Sequence, residues 1–148
     1  VIDDGSRFYA PTRATFEQVF PLLRPGGRYV IEDWSWQFRC AVHFAPELTD
    51  HPLRHATTLV RALAMKPKAG AVERQYLANA DTVPLERLGV ELLLAQASHT
   101  EAFASVSAER DWIVVERGPA ELVPGEFRLA DHYIGFADHR AILTPPPA

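Results

Sequence analysis

Two acidic strand ends decide how this chain reads: Val1-Ile2-Asp3-Asp4-Gly5-Ser6 at its start, and Pro25-Gly26-Gly27-Arg28-Tyr29-Val30-Ile31-Glu32-Asp33 further on. Each is a short apolar run that closes on a pair of carboxylates. Between them Phe16, Val19, Phe20 and Leu23 recur at i, i+3, i+4, i+7, one apolar stripe of a helix. Pro11 suits the first helical position, where its missing N–H costs nothing. Pro21 tightens or kinks the last turn, and Pro25-Gly26-Gly27 ends the helix. Residues 1–33 therefore read strand, helix, strand. That is a βαβ unit with parallel strands and a right-handed crossover.

Outward from that unit, residues 34–51 read as a long loop carrying Trp34, Trp36, Phe38 and Cys40. A loop so long and aromatic is either functional or packed over a site. Asp50 caps an expected helix from Pro52, with Leu53, Ala56, Thr57, Val60 and Ala64 on its apolar stripe. Lys66-Pro67-Lys68-Ala69-Gly70 breaks it, and residues 70–82 carry no clear pattern beyond one short helical turn. From Pro84 to about Ala97 runs a strongly apolar helix, with Leu85, Leu88, Val90, Leu92, Leu93 and Leu94 on several sides. That pattern predicts burial between layers. Ala102–Glu109 and Trp112–Arg117 read as two strands joined by the tight Arg110-Asp111 link, a hairpin closed by Gly118-Pro119. Phe127, Leu129, Tyr133, Ile134 and Phe136 belong to a tail expected to pack on the surface, and residues 144–148 read as a disordered end. The fold class is α/β: two parallel strands plus an antiparallel hairpin, with flanking helices.

Composition bounds the rest. The 148 residues are one domain's worth, 47% apolar and 23% charged, ordinary for a globular core. A net charge of −4 gives no electrostatic case for nucleic acid or an anionic membrane. No run approaches the ~18 apolar residues of a membrane span. The single cysteine, Cys40, allows no internal disulfide, which fits a reducing, cytoplasmic setting. The chain opens inside a strand and without Met, so an N-terminal part of the domain is expected to be missing. The edge of that first strand is then open to homo-oligomerisation or to association with the missing half.

Ligand sites in open α/β sheets lie at the carboxyl ends of parallel strands. Here those ends carry Asp3, Asp4, Glu32 and Asp33, on strands roughly 5 Å apart. Such crowding is tolerable when protons, Arg or Lys, or a divalent cation neutralise it. Oxygen ligands alone favour Mg²⁺, Mn²⁺ or Ca²⁺ over zinc. The competing reading is that these acids cap strand ends and face water. Adjacent strand residues point to opposite faces, so Glu32 and Asp33 reach one ion only if the strand ends or bends there.

These motifs, with Leu22-Leu23-Arg24 before the Pro-Gly-Gly turn, resemble a class I S-adenosylmethionine-dependent methyltransferase. Within that superfamily they are most similar to the metal-dependent macrolide-sugar O-methyltransferases, the mycinamicin and tylosin tailoring subgroup. The resemblance is carried by residues 1–34 and extends through 84–118. It implies the C-terminal half of a seven-stranded Rossmann-like methyltransferase sheet, over residues 1–143, with the cofactor-binding strands preceding Val1. It implies S-adenosylmethionine as donor, Mg²⁺ or Mn²⁺ as Lewis acid, and a hydroxyl of a small-molecule acceptor, a natural-product sugar, as nucleophile. The metal ligands fall on Asp4, Glu32 and Asp33, and Asp3 is the candidate on the cofactor side.

Two departures follow from the resemblance. The family places a His base directly after Asp-Asp-Gly-Ser, where this chain has Arg7. A guanidinium stays protonated and cannot accept the hydroxyl proton. Arg7 then reads as a solvated turn residue, as a substrate anchor, or as a cation that salt-bridges Asp4 or Glu32 in place of the metal. His43 in the long loop is the substitute candidate for the base, against its reading as a solvated side chain. Trp34 and Trp36 either line the acceptor pocket or pack. The second departure is that most of the donor pocket lies outside this sequence. Binding of S-adenosylmethionine to this chain alone is expected to be weak or absent. The alternative to an enzyme fragment is an inactive remnant acting as an interaction partner.

Overall fold

The computed structural model describes residues 1–36 and 83–134. β1 (Ile2–Asp3) lies parallel to β2 (Arg28–Glu32), with Ile2 opposite Val30 and Asp3 opposite Ile31. The crossover is α1 (Tyr9–Val19) followed by a single 3-10 turn at Phe20–Leu22 that contains Pro21. The helix starts two residues before the expected Pro11. Phe8 is extended and its carbonyl accepts from the Thr12 N–H at 3.2 Å. Pro11 is still in the first turn, where no helical acceptor would serve its N–H. The kink expected at Pro21 is realised as the tighter turn.

The hairpin strands β3 (Phe103–Ala108) and β4 (Trp112–Arg117) form as expected, within a residue at their ends. β4 pairs antiparallel with β2 along its whole length, from Arg28 opposite Glu116 to Glu32 opposite Trp112. β3 lies outside it, with an irregularity between Phe103 and Ser105. The sheet order is β1-β2-β4-β3. This is an α/β arrangement, a partial mixed sheet with flanking helices.

α2 (Glu86–Ser98) covers the sheet with Leu88, Leu92 and Ala95, and Leu85 precedes them in the core. Burial on several sides is not what α2 shows. Val90 and Leu93 stay 48% and 45% exposed, so one face packs and the other does not. The core is aromatic. Phe16 stacks on Phe20 with centroids 4.7 Å apart, Phe20 on Phe103 at 5.3 Å, and Phe16 meets the Tyr29 ring edge-on at 5.2 Å. Such pairs add roughly 1 kcal/mol each beyond the area they bury. Phe127 and Leu129 join this core rather than lying on the surface, which corrects the expectation for the start of the tail. Leu129–His132 forms a second 3-10 turn.

A carboxylate is buried with the core. Glu91 of α2 is 3% exposed, and its two carboxylate oxygens accept from the Tyr9 hydroxyl at 2.7 and 2.8 Å. Arg87 Nε donates to it at 3.0 Å, and Arg13 stands 3.5 Å away. Burial first, then the Glu91 carboxylate, raises the Tyr9 and Tyr133 phenols above their ordinary range. This knot joins α1, α2 and the segment after β4. A buried carboxylate is tolerated because its lone pairs are answered on several sides.

Candidate functional site

The carboxyl ends of β1 and β2 meet at one edge of the sheet, as the parallel pairing requires. The four acids there have different fates. Asp3 is engaged within the chain through both oxygens. Its Oδ2 accepts from the Tyr29 hydroxyl at 2.7 Å and its Oδ1 from the Gly5 N–H at 3.1 Å. Tyr29 is fully buried, and burial followed by the Asp3 carboxylate pushes its phenol well above the ordinary tyrosine range. Asp4 is exposed and Glu32 half-buried, and neither side chain has an ion pair or hydrogen bond to a described residue. Asp33 takes the guanidinium of Arg7, Nη2 to Oδ2 at 2.8 Å. Of the three readings of Arg7, the ion pair is the one seen, but its partner is Asp33 rather than Asp4 or Glu32.

β2 ends where Asp33 turns. Its φ is +52°, in the left-handed region that Asp tolerates better than most residues. This is the bend that a strand end needs if consecutive acids are not to face opposite ways. The chain then folds through Trp34, Ser35 and Trp36 in a turn pinned on both sides. Trp36 N–H donates to the Asp33 carbonyl at 3.0 Å, and its indole N–H to the Arg7 carbonyl at 2.6 Å. Its ring meets Phe8 edge-on at 6.2 Å. Trp34 donates its indole N–H to the Glu109 carbonyl at 2.7 Å, and the Ser35 hydroxyl donates to the Arg110 carbonyl at 2.6 Å. Trp34 also lies so close over α2 that a Cβ on Gly89 would come within 3.1 Å of its ring. Both tryptophans therefore pack, and both hold the strand end against its neighbours. Ser35 was not a candidate in the sequence. Nothing in a lone serine names a hairpin carbonyl as its partner.

Among the described residues, no group of three His, Cys, Asp or Glu side chains converges to hold a metal ion. Asp4, Glu32 and Asp33 are thus brought to one end of the sheet but not around one point. His99 and His132 lie elsewhere, edge to face with centroids 5.3 Å apart. His43, Cys40, His51, His55, His139, the expected helix from Pro52 and the end at 144–148 fall outside the described residues. No described helix is long and apolar enough to cross a membrane.

The strand end therefore offers two accessible carboxylates beside an arginine–carboxylate pair whose side chains are 39% and 32% exposed. It can accept hydrogen bonds from a hydroxyl through Asp4 or Glu32 and donate to an oxygen through Arg7. Arg7 cannot act as a base there.

No known protein-family profile matches the chain. One stretch of 36 residues is 61% identical to mycinamicin VI 2''-O-methyltransferase of Micromonospora griseorubida, and the match spans 24% of this chain and 9% of that protein. A stretch of the same length is 58% identical to demethylmacrocin O-methyltransferase of Streptomyces fradiae, again 9% of its length. Among solved structures, the MycE methyltransferase of the mycinamycin pathway, bound to Mg, SAH and mycinamycin VI, aligns over 84% of this chain and 27% of its own. The TM-score is 0.36 and the identity 23%. A second structure of that enzyme, with Mg and SAH, gives a TM-score of 0.34 at 23% identity over 86% of this chain and 30% of its own. The chain is thus similar to two O-methyltransferases over a 36-residue stretch, and that stretch is 9% of the length of each.

Proposed function

We propose that this chain belongs to an S-adenosylmethionine-dependent O-methyltransferase whose acceptor is a hydroxyl of a small natural-product sugar. The observation that carries the reading is the close match of one stretch to two O-methyltransferases. It is supported by the acidic carboxyl ends of a parallel strand pair, where such sheets bind ligands. The donor supplies an electrophilic methyl carbon. No glycine-rich turn leads a described strand into a described helix, so the described residues serve the acceptor side. Asp4 or Glu32 accepts the hydrogen bond of the acceptor hydroxyl and takes its proton as the O–C bond forms and the donor's S–C bond breaks, while Arg7, held by Asp33, presents donors to that oxygen. Holding that oxygen in line with the methyl carbon is the entropic part of the rate. A three-carboxylate cation site would need Asp33 as well, and Arg7 holds it. The arrangement does not fit such a site, and no step is routed through a cation.

The test is transfer of labelled methyl from S-adenosylmethionine by the polypeptide that carries this chain, with a panel of hydroxylated sugars and their glycosides. Methyl recovered on oxygen is the expected product. Methyl recovered only on nitrogen or sulfur, or on no acceptor, overturns the reading.

A second reading rests on the β1 edge. Val1 and Ile2 are 56% and 63% exposed on an edge strand, a surface suited to pairing with another strand. On that reading the chain is an interaction partner without catalysis, and the same assay returns no methylated product.

A further inference from the structure

We infer that Trp112 is the platform on which the acceptor's sugar ring lies, with a ring hydroxyl turned to Glu32. The inference deepens the reading of this edge as the acceptor site and rests on it. On the sheet face turned away from the core, β2 and β4 carry a cross-strand pair at each end of their ladder. Residues directly opposite in an antiparallel pair share a face, with Cβ atoms roughly 5 Å apart. Arg28 opposite Glu116 is closed on itself, Nε to Oε2 at 3.0 Å. Glu32 opposite Trp112 lies at the carboxyl end of β2 and is open. Trp112 is 43% exposed, Glu32 is half-buried, and neither side chain makes a hydrogen bond or ion pair to a described residue. The other two tryptophans donate their indole N–H groups to carbonyls, Trp34 to Glu109 and Trp36 to Arg7.

The platform is held from behind. The Glu109 N–H donates to the Trp112 carbonyl at 2.8 Å and closes the hairpin, while Trp34 and Ser35 donate to the carbonyls of Glu109 and Arg110 at 2.7 and 2.6 Å. The turn that ends β2 thus fixes the turn that starts β4, and Trp112 and Glu32 keep their spacing without a ligand. Their chemistry complements a pyranose. Its axial C–H groups give it an apolar face, which an indole covers, and its hydroxyls donate at the rim, where a carboxylate accepts. A linear polyol offers the hydroxyls without the face. A phenol offers a face with a single donor. Trp112 is accordingly a specificity-determining residue: it selects a ring and orients it, while Glu32 takes the hydroxyl.

Indole N–H resonances of the 148-residue chain, labelled with ¹⁵N in its three tryptophans, test this without methyl transfer. Failure here is therefore separable from failure of the methyltransferase reading. The probes are the methyl glycosides of glucose, galactose and rhamnose, with sorbitol and phenol run alongside, and substitution of Trp112 assigns its signal. At least one glycoside is expected to shift the Trp112 signal saturably and to leave those of Trp34 and Trp36 in place. Sorbitol and phenol are expected to bind at least about tenfold more weakly. Saturation transfer to the ring protons of the bound glycoside then reads the variants. Trp112→Leu is expected to weaken binding at least about fivefold and Glu32→Gln about threefold, while Trp112→Phe, which keeps a flat ring, retains most of it. Unmoved Trp34 and Trp36 signals show that each variant is folded. A Trp112 signal that none of the glycosides moves would overturn the inference. So would sorbitol or phenol binding as tightly as the glycoside, or unchanged binding in folded Trp112→Leu.

Discussion

Two of the arginine–carboxylate contacts among the described residues, one around Glu91 and one at Asp33, do different work. Around Glu91 the carboxylate is 3% exposed and is met by Tyr9, Arg87 and Arg13 from two helices. At the strand ends the side chains of Arg7 and Asp33 are 39% and 32% exposed and form an ion pair. Burial decides the difference. A charge withdrawn from water must have its partners, so removing them unfolds structure. A pair left partly in water adds little to stability, and its groups remain open to a ligand. The first cluster ties helices together. The second leaves charge where an acceptor can reach it.

The largest effect that would break this contrast is at Glu91. Glu91→Leu takes the carboxylate away from Tyr9 and Arg87, leaves Arg13 with Glu17, and is expected to cost about 3 kcal/mol, read from the urea midpoint. A loss below about 1 kcal/mol would put the two clusters on the same footing.

Next comes the support behind the strand end. Ala at Gly89 gains helix propensity, but its Cβ would lie 2.8 Å from Ile113 Cδ1 and within 3.2 Å of two Trp34 ring carbons. Overpacking outweighs the gain, for a net loss of about 1–2 kcal/mol, with a shift in tryptophan emission as Trp34 moves. Unchanged emission would show that Trp34 does not rest on α2.

Asp33→Asn sharpens the contrast from the other side. It removes a partly exposed pair and is expected to cost at most about 1 kcal/mol by the same urea measurement. A loss as large as that at Glu91 would make the strand-end pair structural.

The smallest effect is a pH slope. The His132 imidazole stacks on Phe127 with centroids 4.9 Å apart, and its affinity for a proton is lowered by burial first and by His99 second, against Asp131. The folded state holds this proton less tightly than the unfolded chain. Its contribution is therefore complete above the ordinary histidine value of about 6.5 and is lost as pH falls below it. Substituting Phe for His132 is expected to flatten the fall in thermal midpoint on that acid side. An unaltered slope would assign the acid sensitivity to other groups.

Much of the fold was legible because it is local. The apolar stripe of α1, the alternation in β2 and the Arg110-Asp111 link are all short-range patterns. The order β1-β2-β4-β3 was not legible, since insertion of β4 beside β2 depends on contacts far apart in sequence. Nor was Phe127, whose partners Phe16, Phe20 and Phe103 come from three other elements. Glu91 was hidden inside a helix read for its leucines. At the site, the four acids and Arg7 were visible as candidates from residue type and position. Their division was not. Which acid Arg7 takes depends on the left-handed turn at Asp33 and on two N–H donors of Trp36, neither of which a spacing pattern encodes.

The most direct measurement is methyl transfer to a hydroxylated acceptor by the polypeptide carrying this chain, with and without Asp33→Asn. The account predicts that kcat/KM falls by at least about tenfold while the thermal midpoint stays nearly constant, because the pair positions the acceptor and scarcely stabilises the fold. An unchanged kcat/KM in the folded variant would contradict it.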